Sequence, residues 1–398
     1  MRCAVLEWAA SGAMWLTGHE GGPPAYPAAP VVPVLDAALE EAAALAAAAG
    51  GDLAERARTV LTERASSRGF RRRGRTSLGG RCRLLRAADG WVAVNLARPE
   101  DVEVVPAVVG GPVPEDPWAA LARAGASMPA AALAARAQLC GVPSAALPRR
   151  PPPASAPVRT VALGPRAERV AASLLVVNLS AMWAGPLCAH LLAQSGARVV
   201  KVEDPRRPDG SRLGDPWLFR HLNAGCEHEA ADLSSPTGRA RLRRLLARAD
   251  VVIEGSRPRA LRRLGLTPGA FLRARPGRTW VSVTGYGRLG PWSGRVAFGD
   301  DAAVAGGLVA WSKSGPVFCA DAIADPVTGV FAALGALRSW AGGGGCLVDA
   351  AMRRAVAYVC AQPSCPADHP VEDLGDGRWA VRHGDRVQEV CPPPPVAV

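Results

Sequence analysis

The stretch "ADPVTGVFAALGAL" places an acidic side chain where an apolar helix is expected to begin. Asp325 precedes Pro326, and the residues that follow are mostly small or apolar, which predicts a buried helix with a carboxylate at its start. Backbone N–H groups at a helix N-terminus orient a carboxylate, and the helix dipole keeps it ionised. Asp325 can therefore cap the helix or act as a nucleophile held in line with its target, and the two roles are compatible. Asp321, in the preceding loop, competes for the second role.

The second half of the chain alternates strands and helices. The apolar run "SLLVVNLS" (173–180) leads through a turn and a helix to the strand "RVVKVE" (198–203), an order that predicts a βαβ unit with a right-handed crossover. Further strands are predicted at "DVVIEG" (250–255) and "TWVSVTGYG" (279–287). This alternation is typical of a doubly wound α/β fold, in which ligands bind outside the C-terminal ends of the parallel strands.

The turns at those strand ends do not match the common phosphate-binding motifs. The segments concerned are "AMWAGP", "EGSRP" and "TGYGRLGP". None contains GxGxxG or GxxxxGK[ST], so a standard dinucleotide or P-loop site has little support.

These segments, taken in order, resemble the class III CoA-transferase family (CaiB/BaiF type). The motifs that carry the resemblance are "VVNLSAMWAGPLCAHLLAQSGARVVKVE", "DVVIEGSRPRALRRLGL", "VSVTGYGRLGPW", "ADPVTGVFAALGAL" and "GGGGCLVDAAM", which extend from residue 173 to about residue 360. The resemblance implies an α/β protein with a Rossmann-like, doubly wound parallel sheet domain and a second, smaller α/β domain.

The resemblance also implies a reaction. Family members move coenzyme A between carboxylic acids, and the aspartate that opens the helix after the sheet is the nucleophile; Asp325 occupies that position. Its carboxylate would attack an acyl-CoA thioester, giving an acyl-aspartyl anhydride and then an aspartyl-CoA thioester, which a second acid intercepts. The implied ligands are coenzyme A, as a thioester, and carboxylic acids, with no metal. Such a site must exclude water, because water hydrolyses the anhydride.

Contacts with coenzyme A are implied at the first turn and at arginines. In the family the turn after the first strand contacts the cofactor portion, which here corresponds to Met182, Trp183 and Ala184. Arg212 matches an arginine that meets the nucleotide phosphates, and Arg263 matches one near the adenine end. The planar fork of arginine suits phosphate, although an ordinary turn and surface arginines are the alternative interpretation in so arginine-rich a chain.

Departures from the family pattern keep other functions open. A basic pair is replaced by Cys226 and Glu227, so a phosphate contact is expected to be lost or moved, and the stretch "FGDDAAVAGGLVAW" predicts a different acceptor pocket. Related racemases place a histidine where this chain has Asp300. An ordinary aspartate has a pKa too low for two-base proton exchange, unless burial raises it, which demotes a racemase or isomerase without excluding it. A catalytically degenerate CoA-thioester-binding protein is the third hypothesis.

The chain is predicted to divide at its Pro-rich run. Residues 1–150 resemble the family's small domain placed ahead of the sheet domain, 151–168 form an extended linker, 169–365 form the CoA-binding catalytic domain, and 366–398 form a hairpin and tail. The run "AGGGGCLVD" is expected to be a flexible helix-to-strand connector rather than a loop over the site. A homodimer, in an interlocked form, is implied by the resemblance.

Composition limits the partners. The net charge is +12, but Lys201 and Lys313 are the only lysines, and the arginine cluster at 71–75 is interpreted as a solvated face, so no nucleic-acid partner is predicted. The ten cysteines lack CxxC pairs or regular spacing, which indicates neither a zinc site nor a disulfide framework and favours reduced thiols in the cytoplasm. No leader-like N-terminus or membrane-spanning run is found.

Overall fold

The computed structural model describes residues 3–48, 50–168, 174–256, 258–364 and 369–396. The helices and strands, in chain order, are α1 (Ala4–Ala10), α2 (Val31–Ala47), α3 (Ala57–Ser67), β1 (Cys82–Ala87), β2 (Gly90–Asn95), α4 (Pro99–Glu103), α5 (Val105–Val109), α6 (Pro117–Ser127), α7 (Ala130–Leu139), β3 (Ser144–Ala146), β4 (Arg159–Ala162), β5 (Leu175–Asn178), α8 (Ala184–Gln194), β6 (Arg198–Glu203), α9 (Ser211–Gly214), α10 (Pro216–Leu222), β7 (Glu227–Ala230), α11 (Pro236–Arg248), β8 (Val251–Glu254), α12 (Pro258–Arg263), α13 (Pro268–Ala274), β9 (Thr279–Thr284), α14 (Gly299–Gly306), β10 (Ala310–Ser312), β11 (Gly315–Val317), α15 (Ala324–Ala341), β12 (Cys346–Ala351), α16 (Met352–Cys360), β13 (Val371–Gly375), β14 (Arg378–His383) and β15 (Arg386–Glu389).

A seven-stranded sheet in the order β4-β12-β9-β8-β5-β6-β7 forms the centre of the molecule. Its pairs are parallel except for the edge pair β4–β12. The middle strands are short apolar runs, such as the fully buried β8, because a parallel sheet is covered on both faces. The predicted strands are all present, although residue 173 lies outside the described residues. The predicted doubly wound parallel sheet is therefore confirmed.

Helix α15 is buried along almost its whole length between α8 and the sheet. Small residues allow this close approach. A Cβ atom at Gly329 would lie 2.9 Å from the carbonyl oxygen of Ala184 and 2.8 Å from Cδ2 of Leu187, and one at Gly335 would lie 2.8 Å from Cγ1 of Val348. The Ala- and Gly-rich sequence of α15 is thus what brings its N-terminus next to the N-terminus of α8.

A three-stranded antiparallel sheet, in the order β1-β2-β3, and helices α4 to α7 form the second, smaller α/β unit. Its own core includes Val92, Val94, Leu121 and Leu133. The predicted combination of a sheet domain and a smaller α/β unit is therefore confirmed.

The N-terminal helices do not pack as the predicted division of the chain implies. Leu35 of α2 and Leu61 of α3 lie in one hydrophobic core with Leu187 of α8 and Val330 of α15. Residues 3–78 therefore share the core of the sheet domain, since the apolar faces of α1 to α3 are covered by its helices, and the separate core begins only with β1. The boundaries at 169 and 366–368 lie outside the described residues, and the four-part division stays a prediction.

Two connections that the sequence singles out have defined geometry. Residues 159–162 of the Pro-rich run form the antiparallel edge strand β4, a place where proline-flanked chain is tolerated. The glycine run after α15 is a connector, as predicted, but it is tightly held: Gly344 has a φ of +70°, its N–H donates to the carbonyl of Ser339 at 2.7 Å, and Gly345 donates to Arg278 at 2.7 Å. The turn needs glycine because a side chain at Gly344 would collide with the backbone of Gly277.

The C-terminal segment forms a small sheet that returns to the N-terminal helix. The predicted hairpin is present, since His383 pairs with Arg386 across the turn that contains Gly384 and Asp385, and β13 adds a third strand. Val381 and Val390 join the main core, and β14 and β15 contact α1. Within the described part of the chain, every cysteine is free and no helix is both long and apolar enough to cross a membrane.

Replacing Gly329 by alanine is expected to separate α15 from α8. The added methyl group meets a backbone carbonyl that cannot give way, so we expect a loss of about 1–3 kcal/mol in the free energy of unfolding. Thermal unfolding followed by circular dichroism measures this. Gly214→Ala is the matched control, because nothing lies within 4 Å of its Cβ position. Equal melting temperatures for the two variants would contradict this account of the packing.

Candidate functional site

A cleft with a volume of about 320 Å³ opens at the C-terminal ends of the parallel strands. Its floor consists of the residues that follow β5, β8 and β9, and the first residue of α16 after β12. The segment 293–298 and Arg98 of the smaller unit form the rest of its wall. Because C-terminal strand ends are where doubly wound sheets bind ligands, this cleft is the candidate site. The cleft lining is Arg98, Leu179–Met182, Ala184, Gly185, Gly255, Ser256, Val283–Gly285, Ser293, Arg295–Phe298, Asp325 and Met352.

Asp325 enters this cleft from the start of α15. The helix begins at Ala324, after Ile323, whose side chain forms no cap. Pro326 is the third helical residue rather than the first. The expectation that Asp325 acts as an N-cap is therefore wrong: the helix starts two residues earlier than an Asp325 cap would require, and the Asp325 side chain is directed to other elements.

The backbone N–H groups of Ala184 and Gly299 lie near the Asp325 carboxylate and lower its pKa against the larger effect of burial. These are the first residues of α8 and α14, so the N-termini of both helices, together with that of α15, converge on one half-buried carboxylate. The unsatisfied N–H groups and positive dipole ends of helix N-termini favour negative charge. The arrangement fixes the carboxylate while leaving it accessible from the cleft.

Close contacts and strained backbone surround this carboxylate. Any Cβ atom at Gly299 would collide with Oδ2 of Asp325 and with the carbonyl of Ala322. Ala320 and Ala322 have φ values of +48° and +40°, and Met182, on the cleft wall, has a φ of +73°. Left-handed backbone costs a non-glycine residue about 1 kcal/mol, so its concentration around the cleft marks a place where the fold enforces a shape.

Burial changes the acidity of the aspartates in this region. It raises the pKa of Asp325 to about 7, against the opposing positive charge of Arg64 and the two backbone N–H groups. It raises the pKa of Asp300 to about 7, with a further increase from the negative charges of Asp321 and Asp325. Burial also raises the pKa of Asp301, the next residue of α14, to about 8. Carboxyl groups of this acidity exchange protons near neutral pH.

Arg64 is the cation that faces this group of acids. It lies on α3, and its Nη1 donates to both carboxylate oxygens of Asp321 at 3.1 and 3.2 Å, while its Nε donates to Asp215 at 3.0 Å. The guanidinium also lies 5.2 Å from the ring centroid of Trp183. Sequence reasoning missed Arg64, because its partners are more than a hundred residues away in the chain. Asp321, the predicted competitor of Asp325, is fully committed to this ion pair.

A buried ion pair holds the turn between β5 and α8. Nζ of Lys201 lies 2.7 Å from Oδ2 of Asp209 and 2.6 Å from the carbonyl oxygen of Ser180, and both charged side chains are inaccessible to solvent. Oδ1 of Asp209 in turn accepts from the backbone N–H of Met182 at 3.0 Å. Such a pair is costly to break, so it fixes the positive φ of Met182 and the position of the Ala184 N–H group beyond it.

The structure brings together only some of the residues predicted to contact coenzyme A. Met182 and Ala184 line the cleft with Asp325, whereas Trp183 is buried behind it under Arg64. Arg212 is exposed, paired with Glu203 and stacked 4.0 Å from the ring centroid of Phe219. Arg263 is exposed at the end of α12. Neither arginine lines the cleft, and their roles stay proposals.

Arg295 lines the cleft instead, and Arg353 contacts the same tryptophan ring as Arg295. The guanidinium groups of Arg295 and Arg353 lie 4.2 and 4.8 Å from the ring centroid of Trp292. Burial, followed by the neighbouring charges of Arg295 and Arg354, lowers the pKa of Arg353 against the opposing effect of Tyr286. Within the described residues no carboxylate forms an ion pair with either member of this pair. Two cations that contact one aromatic ring without an acidic ion-pair partner can attract an anion.

The stability of the protein is expected to fall between about pH 4 and pH 8. Asp301 has a pKa of about 8 when folded and an ordinary value near 4 when unfolded, so the folded state binds one more proton across that interval. The favourable contribution is complete below the unfolded value and is lost as the pH rises through the folded value, at about 1.4 kcal/mol per pH unit. Asp301→Asn should flatten the dependence by about that slope.

Denaturant unfolding at pH 5, 6, 7 and 8 measures this slope. The exposed Asp385→Asn substitution is the control and should follow the wild type. A wild-type protein whose stability rises with pH, or an Asp301→Asn protein with the wild-type slope, would contradict the assignment.

Comparisons with known proteins identify the family of the chain. A model of CoA-transferase family III matches residues 172–393, which is more than half of the chain. A succinyl-CoA–D-citramalate CoA-transferase of Chloroflexus aurantiacus is 34% identical over 41% of this chain and 43% of its own. A succinate–glutarate CoA-transferase of Agrobacterium fabrum is 30% identical over 54% and 58%. A human alpha-methylacyl-CoA racemase is 40% identical over 29% and 28%.

The chain spans about half the length of the curated CoA-transferases that it matches. A solved CAIB/BAIF family protein from Brucella suis covers 52% of this chain and 64% of its own, with 26% identity and a TM-score of 0.45. The match of the family model over more than half of the chain establishes the assignment. This protein belongs to CoA-transferase family III.

Proposed function

We propose that this protein transfers coenzyme A from an acyl-CoA thioester to a carboxylic acid, with Asp325 as the nucleophile. The observation that carries the proposal is the position of Asp325: a half-buried carboxylate on the wall of the strand-end cleft, held by N–H groups from two other helix N-termini. Membership of the family and the names of the matched relatives support this class of reaction.

The proposed chemistry follows from the state of this carboxylate. A pKa of about 7 leaves a substantial ionised fraction at neutral pH and makes the carboxylate more basic than an ordinary aspartate, which favours attack on a thioester. Asp325 attacks the thioester carbonyl and CoA thiolate leaves, giving the mixed anhydride. The thiolate then attacks the aspartyl carbonyl, the donor acid leaves, and an aspartyl-CoA thioester forms. The acceptor carboxylate repeats the two steps in reverse and leaves as its CoA ester.

The remaining residues of the cleft bind and orient. Met182 and Ala184 are proposed to contact the thioester portion of coenzyme A, and Trp183 supports their turn from below. Arg212 and Arg263, both exposed, are proposed to meet the phosphates and the adenine end. The guanidinium group of Arg212 is paired with Glu203 but has further N–H donors that can bind a phosphate.

We further propose that the acid substrate carries a second carboxylate, which Arg295 and Arg353 bind. Arg295 lines the same cleft as Asp325, and the arginine pair has no carboxylate of the described chain as an ion-pair partner. The names of two matched relatives refer to dicarboxylic acids, succinate and glutarate among them. A cleft of about 320 Å³ has room for an acid of that size.

Incubation with succinyl-CoA and other acyl-CoA esters tests the nucleophile. Intact-protein mass spectrometry should detect a hydroxylamine-sensitive adduct on the wild type, and Asp325→Ala should abolish it. Gly299→Ala keeps the carboxylate but displaces it, so adduct formation should fall at least tenfold. Asp385→Ala, an exposed aspartate, is the control. An adduct that survives in Asp325→Ala would refute the assignment.

The second carboxylate is tested by comparing succinate with butyrate as the acceptor. Arg295→Leu should raise KM for succinate about tenfold or more while leaving KM for butyrate within about twofold, because losing a charged partner costs at least 1.4 kcal/mol. Arg354→Leu, the exposed neighbour, is the matched control. Equal effects on the two acids would contradict the assignment of Arg295.

A racemase is the second candidate, and one observation favours it. Asp300, which stands where related racemases carry a histidine, has a pKa raised to about 7 and interacts electrostatically with Asp325, so two groups near neutrality face the same region. Solvent deuterium entering beside the thioester, with no adduct and no acyl exchange, would favour this function. Coenzyme A binding without either activity would indicate the degenerate binding protein.

We also propose that the protein forms a homodimer, in an interlocked form, and is located in the cytoplasm. They rest on the family resemblance and on the free cysteines of the described residues. Size-exclusion chromatography with light scattering should give twice the mass of one chain.

A further inference from the structure

A group of soft ligands lies outside the cleft, where the two ends of the chain meet. Cys3 precedes α1, His369 precedes β13, and His383 ends β14. Their donor atoms all lie within 4.8 Å of one another, and Sγ of Cys3 is 3.1 Å from Nε2 of His369. Cys3 and His369 are buried, and His383 is half-buried. None of the three lines the cleft.

The donor chemistry suits one class of ion. A thiolate and two imidazoles are the ligands that zinc and similar divalent transition metals prefer, whereas magnesium and calcium select oxygen. With metal–ligand bonds of about 2.0–2.3 Å, the donors of a tetrahedral site lie within about 4 Å of one another, so a donor pair at the upper limit of 4.8 Å must approach by about 1 Å. The imidazole rings of His369 and His383 stack with centroids 4.8 Å apart and an interplanar angle of 16°, so metal binding requires the rings to turn until their nitrogen lone pairs converge on one ion.

The surrounding structure holds the ligands in place. The hydroxyl group of Tyr26 donates to the carbonyl oxygen of His369 at 3.1 Å, and the edge of its ring packs on the imidazole. The backbone N–H of Cys391 donates to the carbonyl of Ala9, which fastens the C-terminal sheet to α1. Cys3 and the two histidines are therefore presented by elements that are already packed together.

We propose that Cys3, His369 and His383 bind one zinc-class divalent ion that joins the N-terminal helix to the C-terminal sheet. Binding forms one metal–sulfur and two metal–nitrogen bonds, and the thiol proton passes to the solvent. Water occupies the fourth position of the tetrahedron. The site adds to the proposed reaction and does not depend on it. The spacing of ligands along the chain gives no sign of it, since residues 3, 369 and 383 are brought together only by folding.

Titration with cobalt tests the proposal on the full chain, freed of metal with a chelator and carrying no histidine tag. Co²⁺ should bind at one equivalent and give a thiolate-to-metal charge-transfer absorption band, which Zn²⁺ displaces. Cys3→Ser should remove this band, whereas Cys391→Ser, a half-buried cysteine of the same C-terminal region outside the group, should retain it. A band that persists in Cys3→Ser, or no band at any Co²⁺ concentration up to millimolar, would overturn the proposal.

Thermal unfolding provides a readout that does not require the thiol. Zn²⁺ should raise the melting temperature of the wild type by several degrees, because it binds only the folded chain. His383→Gln, a change at the half-buried last residue of β14, should lose at least half of this shift while its metal-free melting temperature stays within about two degrees of the wild type. A zinc-dependent shift equal to that of the wild type would contradict the role of His383.

Discussion

The convergence of three helix N-termini on the carboxylate of Asp325 is the constraint on which the rest of this site depends. A half-buried carboxylate is destabilised by desolvation, and here backbone N–H groups from α8 and α14 offset part of that cost. The part of the desolvation cost that is not offset raises the pKa of Asp325 to about 7. The fold thus holds a carboxylate that is fixed in position, more basic than usual and reachable from the cleft.

Bringing three helix ends together requires small residues at specific contacts. Gly329 lets α15 approach α8, and Gly299 lets α14 approach Asp325, since a methyl group at either position collides with a neighbour. The strained Ala320 and Ala322 complete the turn into α15. Lys201 and Asp209 fix the turn before α8 from the other side. The glycine and alanine residues at these positions are therefore needed for the shape of the site.

The sequence predicts the sheet, because short apolar runs separated by segments of helical periodicity identify parallel strands. It also predicts that Asp325 lies at the start of a buried helix, because the residues of that motif are adjacent in the chain. It does not predict Arg64, whose partners Asp215 and Asp321 are distant in the chain, or the arginine pair on Trp292. The Asp-Pro pair is a strong capping signal and predicts a first helical residue at Pro326, two residues after the observed start of α15. The packing of α1 to α3 with the sheet domain is likewise a tertiary fact, which composition around a Pro-rich run does not reveal.

Transfer of an oxygen atom from the acceptor acid to Asp325 is the most direct test of whether Asp325 is the nucleophile. With an acyl-CoA donor and an ¹⁸O-labelled acid as acceptor, the bridging oxygen of the second anhydride comes from the acid and remains on the aspartate when the new CoA ester leaves. After a single turnover, the peptide that contains Asp325 should gain one ¹⁸O atom, and no other acidic peptide should. Turnover to the new CoA ester without label in that peptide would contradict catalysis by Asp325.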